Sequence, residues 1–433
     1  MLQTWLPVAP AASKAVRTRL ELGRKVLVIT AGIPHESEGA SVVLFYHYIE
    51  HTLRAGHKVF HVLLIEGDTW PDEAVRSYHR KITSFGPCEI ATIRQPRFVR
   101  QGAFGHDLDL SNGRDALERA AEFAADATIA FDILAAWAAA AVETPRRIVW
   151  LGDLNFQTMR YHALYAVRES PRGMLALPRH LLAAWHWKRV YRSVLRGADD
   201  IVVSSASSVR ELAKLGLRSE YEPYPWPMAV GDRARMVPTI PTFMFFGNLV
   251  GLGSRSALHL LLRLYGPLLA LWGTRGFRVR IAGRGRLPPW FMSAICDKPE
   301  IEWLGFVPDL GSLLDDSHAV LAPIEVPVGN RSRILTGLAH GVLVIAHSNV
   351  ALGNPDLVDG ETCALADDAI SFLAHLRRAV EHDEWRQSIA LNGRRCYQER
   401  FHPDRAGPRL ALRLADPGHH IAPSAPAEPW TDT

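Results

Sequence analysis

Cysteine is scarce in this sequence, and its few copies are scattered. The 433 residues contain four cysteines, namely Cys88, Cys296, Cys363 and Cys396, with no Cys-x-x-Cys pair and no cysteine–histidine spacing typical of zinc. This distribution argues against a disulfide scaffold and against a zinc-binding domain. We therefore expect reduced, mostly structural thiols in a cytosolic protein.

The sequence also lacks a long hydrophobic run. Its most apolar stretch, Ile133 to Val142, is about half as long as a membrane span. The first residues place apolar side chains ahead of positive charges, which is the reverse of the order in a signal peptide. We expect neither a membrane-spanning segment nor a secretory leader.

Neither sign of charge is in large excess. The formal net charge is +4 at pH 7, and the isoelectric point is about 8.9. A mildly basic chain is compatible with an anionic ligand or an anionic membrane surface. Without a recognition motif, the charge is too weak to predict binding to nucleic acid.

Apolar runs that end in glycine-containing loops recur along the chain and alternate with helical patterns. The first such unit comprises a strand at 25–30, a loop through Gly39, a helix at 40–55 and a strand at 59–65. Units of this kind predict parallel sheets with ligands bound beyond the carboxyl ends of the strands. The alternation restarts after a proline-rich segment, so we predict an α/β fold with two Rossmann-like, doubly wound domains facing a central cleft. The predicted divisions are an N-terminal Rossmann-like domain at 1–225, a proline-rich linker at 226–241, a C-terminal Rossmann-like domain at 242–400, and a segment at 401–433 that partly returns to the N-terminal domain and ends in a disordered tail.

The stretch GNRSRILTGLAHGVLVIAH, from Gly329 to His347, predicts a helix from Ser332 to His340 followed by a buried strand. Arg331 and Arg333 lie at the start of this helix, where the helix dipole favours negative charge. A helix N-terminus combined with arginine forks suits a diphosphate. Spacing alone allows another interpretation, in which this is a surface helix whose arginines pair with acidic neighbours.

Several segments, in this order, resemble the retaining GT-B glycosyltransferases of the family 4 type (glycosyl transferases group 1). The C-terminal half carries the clearer likeness, in FFGN at 245–248, IAGRG at 281–285, GFVPDL at 305–310, APIEVPVGNRSRILTGLAHGVLVIAH at 322–347 and NPDLVDGETCALADD at 354–368. The N-terminal half is similar more loosely, in VLVIT with the turn at 38–40, RAGHKV at 54–59, IVWLGDLNF at 148–156 and ADDIVVSSASSVRELAKLG at 198–216. The resemblance implies a GT-B fold, in which the N-terminal domain at 1–225 would hold the acceptor and the C-terminal domain at 242–400 the nucleotide sugar.

The resemblance also implies roles for particular residues. Arg331 and Arg333 would hold the donor diphosphate, and Asp153 would belong to the donor-sugar side, so these three are the catalytic candidates. The donor-binding candidates are Gly39, Gly247, Asn248, Arg255, Arg284, Phe306, Val307, Glu325, Gly329, Asn330 and Thr336. No metal or other cofactor is expected, because the arginines and the helix dipole would take the role of a divalent cation.

Three positions depart from the family pattern. Thr336 stands where a glutamate usually contacts the nucleotide ribose, and Glu325 is a candidate substitute or a plain rim residue. Gly152 replaces a histidine, which leaves Asp153 alone. Asn248 and Arg255 occupy the region where an arginine and a lysine are common, so Arg255 is a candidate replacement charge.

Other polar residues at predicted strand ends are candidates for the acceptor side, namely His35, Glu38, Asn155, Gln157 and Arg160. Each also has a plain structural interpretation. His35 and Glu38 would then be solvated loop residues, and Asp153 or Asn155 would be an ordinary helix cap.

The segment Arg172–Arg196 combines basic residues with Trp185, Trp187 and Tyr191 and contains no acidic residue. Such a helix suits peripheral contact with an anionic membrane. It is equally typical of a helix that packs on the core and presents a solvated basic side.

Together these features predict a retaining glycosyltransferase that moves a sugar from a nucleoside-diphosphate donor to a glycan or lipid-linked acceptor. The resemblance alone implies bacterial surface polysaccharide biosynthesis, and we expect a cytoplasmic protein, associated with the inner face of the membrane if the basic helix binds it. A non-catalytic protein that binds sugar nucleotides or glycans, and a sugar-nucleotide epimerase of similar architecture, remain alternatives. A dehydrogenase is rejected, because the glycines near Arg284 lack a third glycine and the acidic residue expected about twenty positions later.

Overall fold

The computed structural model describes residues 23–39, 41–66, 71–101, 105–169, 172–228, 237–328 and 332–415. The strands are β1 Lys25–Ala31, β2 Lys58–Ile65, β3 Cys88–Arg94, β4 Arg97–Gln101, β5 Gly105–Asp109, β6 Ala127–Phe131, β7 Arg147–Leu151, β8 Asp200–Val203, β9 Glu220–Tyr221, β10 Thr242–Phe246, β11 Arg278–Ala282, β12 Ile301–Gly305, β13 Ala319–Ala322, β14 Leu343–His347 and β15 Ala364–Ala366. The α-helices are α1 Ser41–Arg54, α2 Asp72–Ile82, α3 Arg114–Glu122, α4 Asp132–Ala139, α5 Asn155–Glu169, α6 Gly173–Leu195, α7 Ala206–Ala213, α8 Leu252–Trp272, α9 Pro289–Ile295, α10 Leu310–Asp315, α11 Ser332–Ala339, α12 Ala369–Glu381, α13 Asp383–Cys396, α14 Pro403–Ala406 and α15 Pro408–Ala415.

Some sequence predictions fall on residues outside these ranges. They are the first residues up to 22, residues 229–236 of the predicted linker, residues 329–331 of the predicted diphosphate site, and residues 416–433 of the predicted C-terminal segment. Within the described part of the chain the four cysteines form no disulfide. None of the described helices is long and apolar enough to cross a bilayer.

The N-terminal half of the chain folds around a parallel sheet with the strand order β3-β2-β1-β6-β7-β8-β9. Its central strands are mostly apolar and buried, because helices cover both faces of the sheet, as is typical of parallel sheets. In β1, for example, every residue from Val26 to Thr30 is buried. A short antiparallel hairpin, β4–β5, forms separately from this sheet.

A second parallel sheet follows in the C-terminal half, with the order β12-β11-β10-β13-β14-β15. Helix α11 packs on this sheet through Ile334, Leu335 and Leu338, all fully buried, as its sequence pattern predicts. The prediction of two doubly wound α/β domains is therefore confirmed.

Each sheet reverses its strand order at one place. In the N-terminal sheet, β2 and β6 lie on opposite sides of β1, and in the C-terminal sheet β11 and β13 lie on opposite sides of β10. A crevice opens between the carboxyl ends of the strands at such a switch point, and ligands of doubly wound folds bind there. The loops after β1, β6, β10 and β13 are therefore the places to search for a site.

The chain passes between the domains twice, and the two passages lie side by side. Trp226 donates its backbone N–H to the carbonyl of Phe401 (2.8 Å), and the Tyr397 hydroxyl donates to the carbonyl of Trp226 (2.6 Å). The last helix, α15, then lies against α1 of the N-terminal domain. The divisions between domains stay a prediction, but the structure ties the end of the described chain to its first half.

Buried charges fasten α15 to the end of the N-terminal sheet. Arg413 donates from Nε to Glu222 (3.3 Å) and from its terminal nitrogen to Glu220 (2.9 Å). Glu222 has no exposed surface, and burial raises the pKa of its carboxyl although Arg413 and Arg409 lower it. Arg409 also donates to the carbonyl of Pro223 (2.7 Å).

We expect Arg413→Met to lower the free energy of unfolding by about 3–5 kcal/mol, because it leaves the buried Glu222 without its nearest cation. The double variant Arg413→Met, Glu222→Gln should recover part of this loss. Arg377→Met is the control, since Arg377 forms an exposed pair with Glu381 (2.9 Å) and its loss should cost at most about 1 kcal/mol. Urea denaturation measures all three, and equal midpoints for Arg413→Met and the control would contradict the proposed fastening.

Candidate active site

Glycines terminate the central strands of the C-terminal sheet and allow their loops to approach closely. Gly247 follows β10 with φ +125°, and Gly283 follows β11 with φ +153°. A Cβ on Gly283 would lie 1.8 Å from the carbonyl oxygen of Gly247, so a side chain there is excluded by backbone. The N–H groups of these glycines donate to Ala282 (3.0 Å) and Gly305 (2.8 Å), which brings the three strand ends together.

Arg333 lies at this switch point, in the first turn of α11. Its guanidinium stacks 4.6 Å from the ring centre of Phe245, and it donates to the Ser254 hydroxyl (2.7 Å). A Cβ on Gly247 would be 3.0 Å from the same guanidinium, so glycine is the residue that leaves room for it. The remaining residues at this helix start, Gly329, Asn330 and Arg331, lie outside the described part of the chain.

A second arginine lies on the loop after β11 and reaches the other domain. The guanidinium of Arg284 stacks 4.9 Å from the ring centre of Phe306, which is more than half exposed. Arg284 also lies 3.5 Å from the carboxylate of Glu38, on the loop after β1. This contact shows that the carboxyl ends of the two sheets face each other across a cleft, with Arg284, Phe306 and Glu38 at its rim.

Glu325 follows β13, but protein side chains already occupy its carboxylate. It accepts a hydrogen bond from the Tyr165 hydroxyl (3.0 Å) and pairs with Arg168 (3.2 Å) and with Arg263. Burial alone would raise the pKa of Glu325, but Arg263, Tyr165 and Arg168 together lower it. The structure therefore places Glu325 in the contact between the domains, and its role as a substitute ribose ligand stays a prediction.

Arg255 is likewise committed to the domain interface. Its guanidinium donates to both carboxylate oxygens of Glu169 on α5, at 2.9 and 2.5 Å. A bidentate pair of this kind holds the arginine side chain in one orientation. The expectation that Arg255 replaces a missing donor-site charge does not match this placement.

Three other donor-side candidates have different surroundings. Thr336 is buried and accepts a hydrogen bond from the Trp226 indole (3.1 Å), so its hydroxyl serves the linker. Asn248 is exposed directly after Gly247, and its side chain accepts from the N–H of Val250 (3.2 Å). Val307 is half-buried beside Phe306.

The N-terminal switch point contains an aspartate that sequence reasoning missed. Asp132 directly follows β6 and adopts φ +69°, a left-handed conformation unusual for a residue other than glycine. Its carboxylate accepts the backbone N–H of Gly152 (2.8 Å), next to Asp153. Burial raises the pKa of Asp132 to about 6, with a further contribution from the charge of Asp153. The sequence does contain a signal for this site, namely an acidic residue directly after an apolar strand. The end of the strand is hard to recognise because the residues that follow are also apolar.

This arrangement explains why glycine fits position 152. A Cβ at position 152 would lie 3.2 Å from the Asp132 carboxylate and 3.6 Å from the Trp150 ring. Asp153, which follows, is exposed, and its carbonyl accepts from the Tyr191 hydroxyl (3.4 Å). The turn is thus held from two sides, by Asp132 and by helix α6.

The acceptor-side candidates divide into two groups. His35 and Glu38 are exposed on the β1 loop, where the His35 ring accepts the N–H of Glu38 (2.9 Å), and Gly39 ends this loop with φ +100°. Asn155 begins α5 and donates its N–H to Tyr191 (3.2 Å).

The other two candidates on α5 point elsewhere. Gln157 is buried, and Arg160 lies 3.6 Å from Glu211 on α7. The structure brings His35, Glu38 and Arg284 together at the cleft, but it does not bring Gln157 or Arg160 to them.

Residues 240–382 match the family model of the glycosyl transferases group 1. The matched residues include β10, α11 and the glycine turns described above. The prediction of an enzyme of the glycosyltransferase class is confirmed, whereas the retaining mechanism and the family 4 type stay predictions.

Comparison with solved structures extends the likeness to both domains. The Anabaena protein HepE, in complex with UDP and glucose, is 14% identical with a TM-score of 0.61, over 91% of this chain and 100% of that one. A variant of S. aureus TarM, in complex with fondaparinux, alpha-GlcNAc-glycerol and UDP, is 8% identical with a TM-score of 0.62, over 91% and 100%. At these identities the comparison establishes the fold, and it confirms the GT-B architecture. No curated protein matches the sequence.

We expect Asp132→Ala to lower the free energy of unfolding by about 1–2 kcal/mol, because it strains the left-handed backbone and removes the acceptor for Gly152. Asp132→Asn keeps an acceptor oxygen and tolerates this conformation, so it is the matched control. Because the pKa is raised from 3.8 to about 6, the folded state holds this proton more tightly than the unfolded state. The carboxyl therefore makes the free energy of unfolding fall as the pH rises between these values.

Asp132→Asn should accordingly gain stability relative to the original protein between pH 4 and pH 7, measured by denaturation at both. A flat difference between the two proteins over this range would show that Asp132 does not titrate as described. An Asp132→Ala variant as stable as the original protein would show that the carboxylate does not hold the turn.

Glu325→Gln tests the interface role of Glu325. Its pKa is lowered in the folded state, so the ionised carboxylate stabilises the fold above its ordinary pKa of 4.5 and this contribution disappears as the pH falls. We expect the variant to lose about 1–3 kcal/mol of unfolding free energy at pH 7 and much less near pH 4. Glu381→Gln, in an exposed pair, is the control. An unchanged stability together with abolished nucleotide binding would restore the ribose-ligand hypothesis.

Proposed function

We propose that this protein transfers a sugar from a nucleoside-diphosphate donor to a glycan or lipid-linked acceptor, with retention of anomeric configuration. The observation that carries the proposal is the position of Arg333. Its guanidinium lies in the first turn of α11, beside Gly247 at the C-terminal switch point. An arginine fork at a helix N-terminus suits a diphosphate.

In the proposed reaction, the bond between the anomeric carbon and the diphosphate oxygen breaks, and a bond from the same carbon to an acceptor oxygen forms. The acceptor proton passes to the departing diphosphate, so no separate base is required. Arg333 stabilises the charge that develops on the leaving group. Arg331, Gly329 and Asn330 are proposed partners of the same phosphates. In this proposal protein groups, and not a metal ion, compensate the charge of the diphosphate.

We propose different binding roles for the two sides of the cleft. The exposed Phe306, stacked by Arg284, is proposed to border the nucleotide base together with Val307. On the opposite side, the Asp153 turn and the β1 loop with His35 and Glu38 are proposed to receive the donor sugar and the acceptor. The contact between Arg284 and Glu38 (3.5 Å) must open or adjust to admit a ligand, and both side chains are exposed enough to do so.

The setting is also a proposal. By its resemblance the chain would act in the synthesis of bacterial surface polysaccharide, in the cytoplasm, where nucleotide sugars are its donors. The solved lipopolysaccharide outer core galactosyltransferase WaaB has the same fold, at 13% identity and a TM-score of 0.54. The likeness to WaaB concerns the fold, so the sugar and the acceptor have to be identified by an activity assay.

The test is to incubate the protein with UDP-, GDP- and ADP-sugars, with and without an acceptor extract, and to follow nucleotide release and products by mass spectrometry. Release that requires acceptor supports transfer, and the anomeric coupling of the product by NMR distinguishes retention from inversion. Saturable donor binding without release would instead indicate a non-catalytic binding protein. Conversion of the donor without acceptor would indicate an epimerase.

Arg333→Met should weaken binding of the active nucleotide by about 10- to 100-fold, because a charge-assisted hydrogen bond to phosphate is lost. Arg377→Met, on an exposed face of α12, is the matched control and should bind like the original protein. Isothermal titration with the free nucleoside diphosphate gives both constants. Equal affinities for the two variants would contradict the proposed contact between Arg333 and the diphosphate.

A further inference from the structure

Helices α5 and α6 form a hairpin whose outer face exposes large apolar side chains. They are Leu164 and Val167 on α5, and Met174, Leu175, Leu181, Leu182 and Trp185 on α6. Leu175 is 84% exposed and Leu182 60%, so most of the surface of each residue faces water. Single exposed apolar residues are ordinary, but a contiguous group on one face marks an interaction surface. We call this group the apolar patch.

The spacing along α6 places the patch on one stripe of the helix. Met174, Pro178, Leu181 and Trp185 recur at steps of three or four residues, so they share a face. The opposite side of α6 is buried in the N-terminal domain through residues that include Ala184, Tyr191 and Leu195. The fold therefore uses one side of the helix and leaves the apolar patch outside.

The same exposed face continues into a basic half. Arg189, Arg192 and Arg196 are exposed one to three turns beyond Trp185, and the Arg189 guanidinium stacks 4.9 Å from the Trp185 ring centre. Between Arg172 and Arg196 the sequence contains no acidic residue. The nearest following acids are engaged elsewhere, since Asp200 pairs with Arg146 (2.5 Å) and Asp199 accepts the N–H of Arg147 (2.7 Å).

We infer that this face docks on the surface of an anionic lipid bilayer, with α6 lying parallel to the membrane plane. Leucine and tryptophan side chains would enter the boundary between headgroups and acyl chains, while the arginines contact anionic headgroups. Charge complementarity selects this occupant, because a face with arginines and no carboxylates repels a second copy of itself and attracts an anionic surface. The docking needs no glycosyl transfer, so it stands apart from the proposed function.

The position of the hairpin gives the docking a consequence for the cleft. Tyr191, on the buried side of α6, contacts the Asp153 turn, and Tyr165 and Glu169 on α5 contact the C-terminal domain. A bilayer bound to the outer face of the hairpin would therefore lie one helix away from the candidate active site. An acceptor carried by a lipid would be delivered beside the Asp153 turn.

The test is co-sedimentation of the full-length protein with vesicles of phosphatidylglycerol and phosphatidylcholine, compared with vesicles of phosphatidylcholine alone. We expect binding to the anionic vesicles that weakens as salt is raised. Leu175→Ser with Leu182→Ser should weaken the binding at least tenfold, roughly the loss expected for two leucines leaving the interface. Arg189→Gln with Arg192→Gln should weaken it about tenfold or more.

The matched control replaces two leucine-sized residues that are equally exposed on the other domain. Ile370→Ser with Leu391→Ser changes side chains that are 78% and 58% exposed, and it should leave vesicle binding unchanged. Circular dichroism verifies that each variant is folded. Absence of binding, equal binding to neutral vesicles, or binding unaffected by Leu175→Ser with Leu182→Ser would overturn the inference. So would a dimer, seen by sedimentation equilibrium, that these serine substitutions abolish.

Discussion

Two carboxylates set the distance between the domains. Glu325, from the end of β13, is held by Tyr165 and Arg168 of the N-terminal domain, while Glu169 of that domain holds Arg255 of the C-terminal domain. The pair of Arg255 with Glu169 is largely shielded from solvent, so its separation costs more than that of a surface ion pair. Because α5 provides three of these side chains, the position of this helix contributes to how the switch points of the two sheets lie relative to each other.

This arrangement also distributes positive charge within the cleft. Arg255 pairs with Glu169, and Arg263 and Arg168 share Glu325, so two carboxylates offset most of the charge of these three interface arginines. Arg333 lies on the Phe245 ring and donates to the Ser254 hydroxyl at the switch point. Stacking on the ring fixes the orientation of the guanidinium. The placement of arginine therefore matters more for the site than the number of arginines.

The sequence predicts those features that depend on local pattern. Apolar runs followed by Gly39, Gly247 and Gly283 identify strands and their terminal turns, and the spacing of Ile334, Leu335 and Leu338 identifies α11. Contacts between residues that are far apart in the chain produce no local pattern. Arg255 lies 86 residues from Glu169, and Arg168 lies 157 from Glu325, so the local pattern predicts a ligand role for Arg255 and Glu325 and gives no sign of their protein partners. Asp132 was not predicted as a site residue for another reason. The alanine-rich sequence that follows it makes the boundary between β6 and α4 hard to recognise.

The α5–α6 hairpin shows why an exposed apolar surface calls for a partner. Its inner face already satisfies the fold, because Tyr191 holds the Asp153 turn and Tyr165 holds Glu325. Serine or lysine at Leu175 or Leu182 would leave those contacts intact, so packing does not explain the leucines. Exposed leucines favour non-specific association of a free protein in water. Their presence on α6, whose other side contacts the Asp153 turn of the candidate site, is best explained by a surface that covers them while the enzyme works.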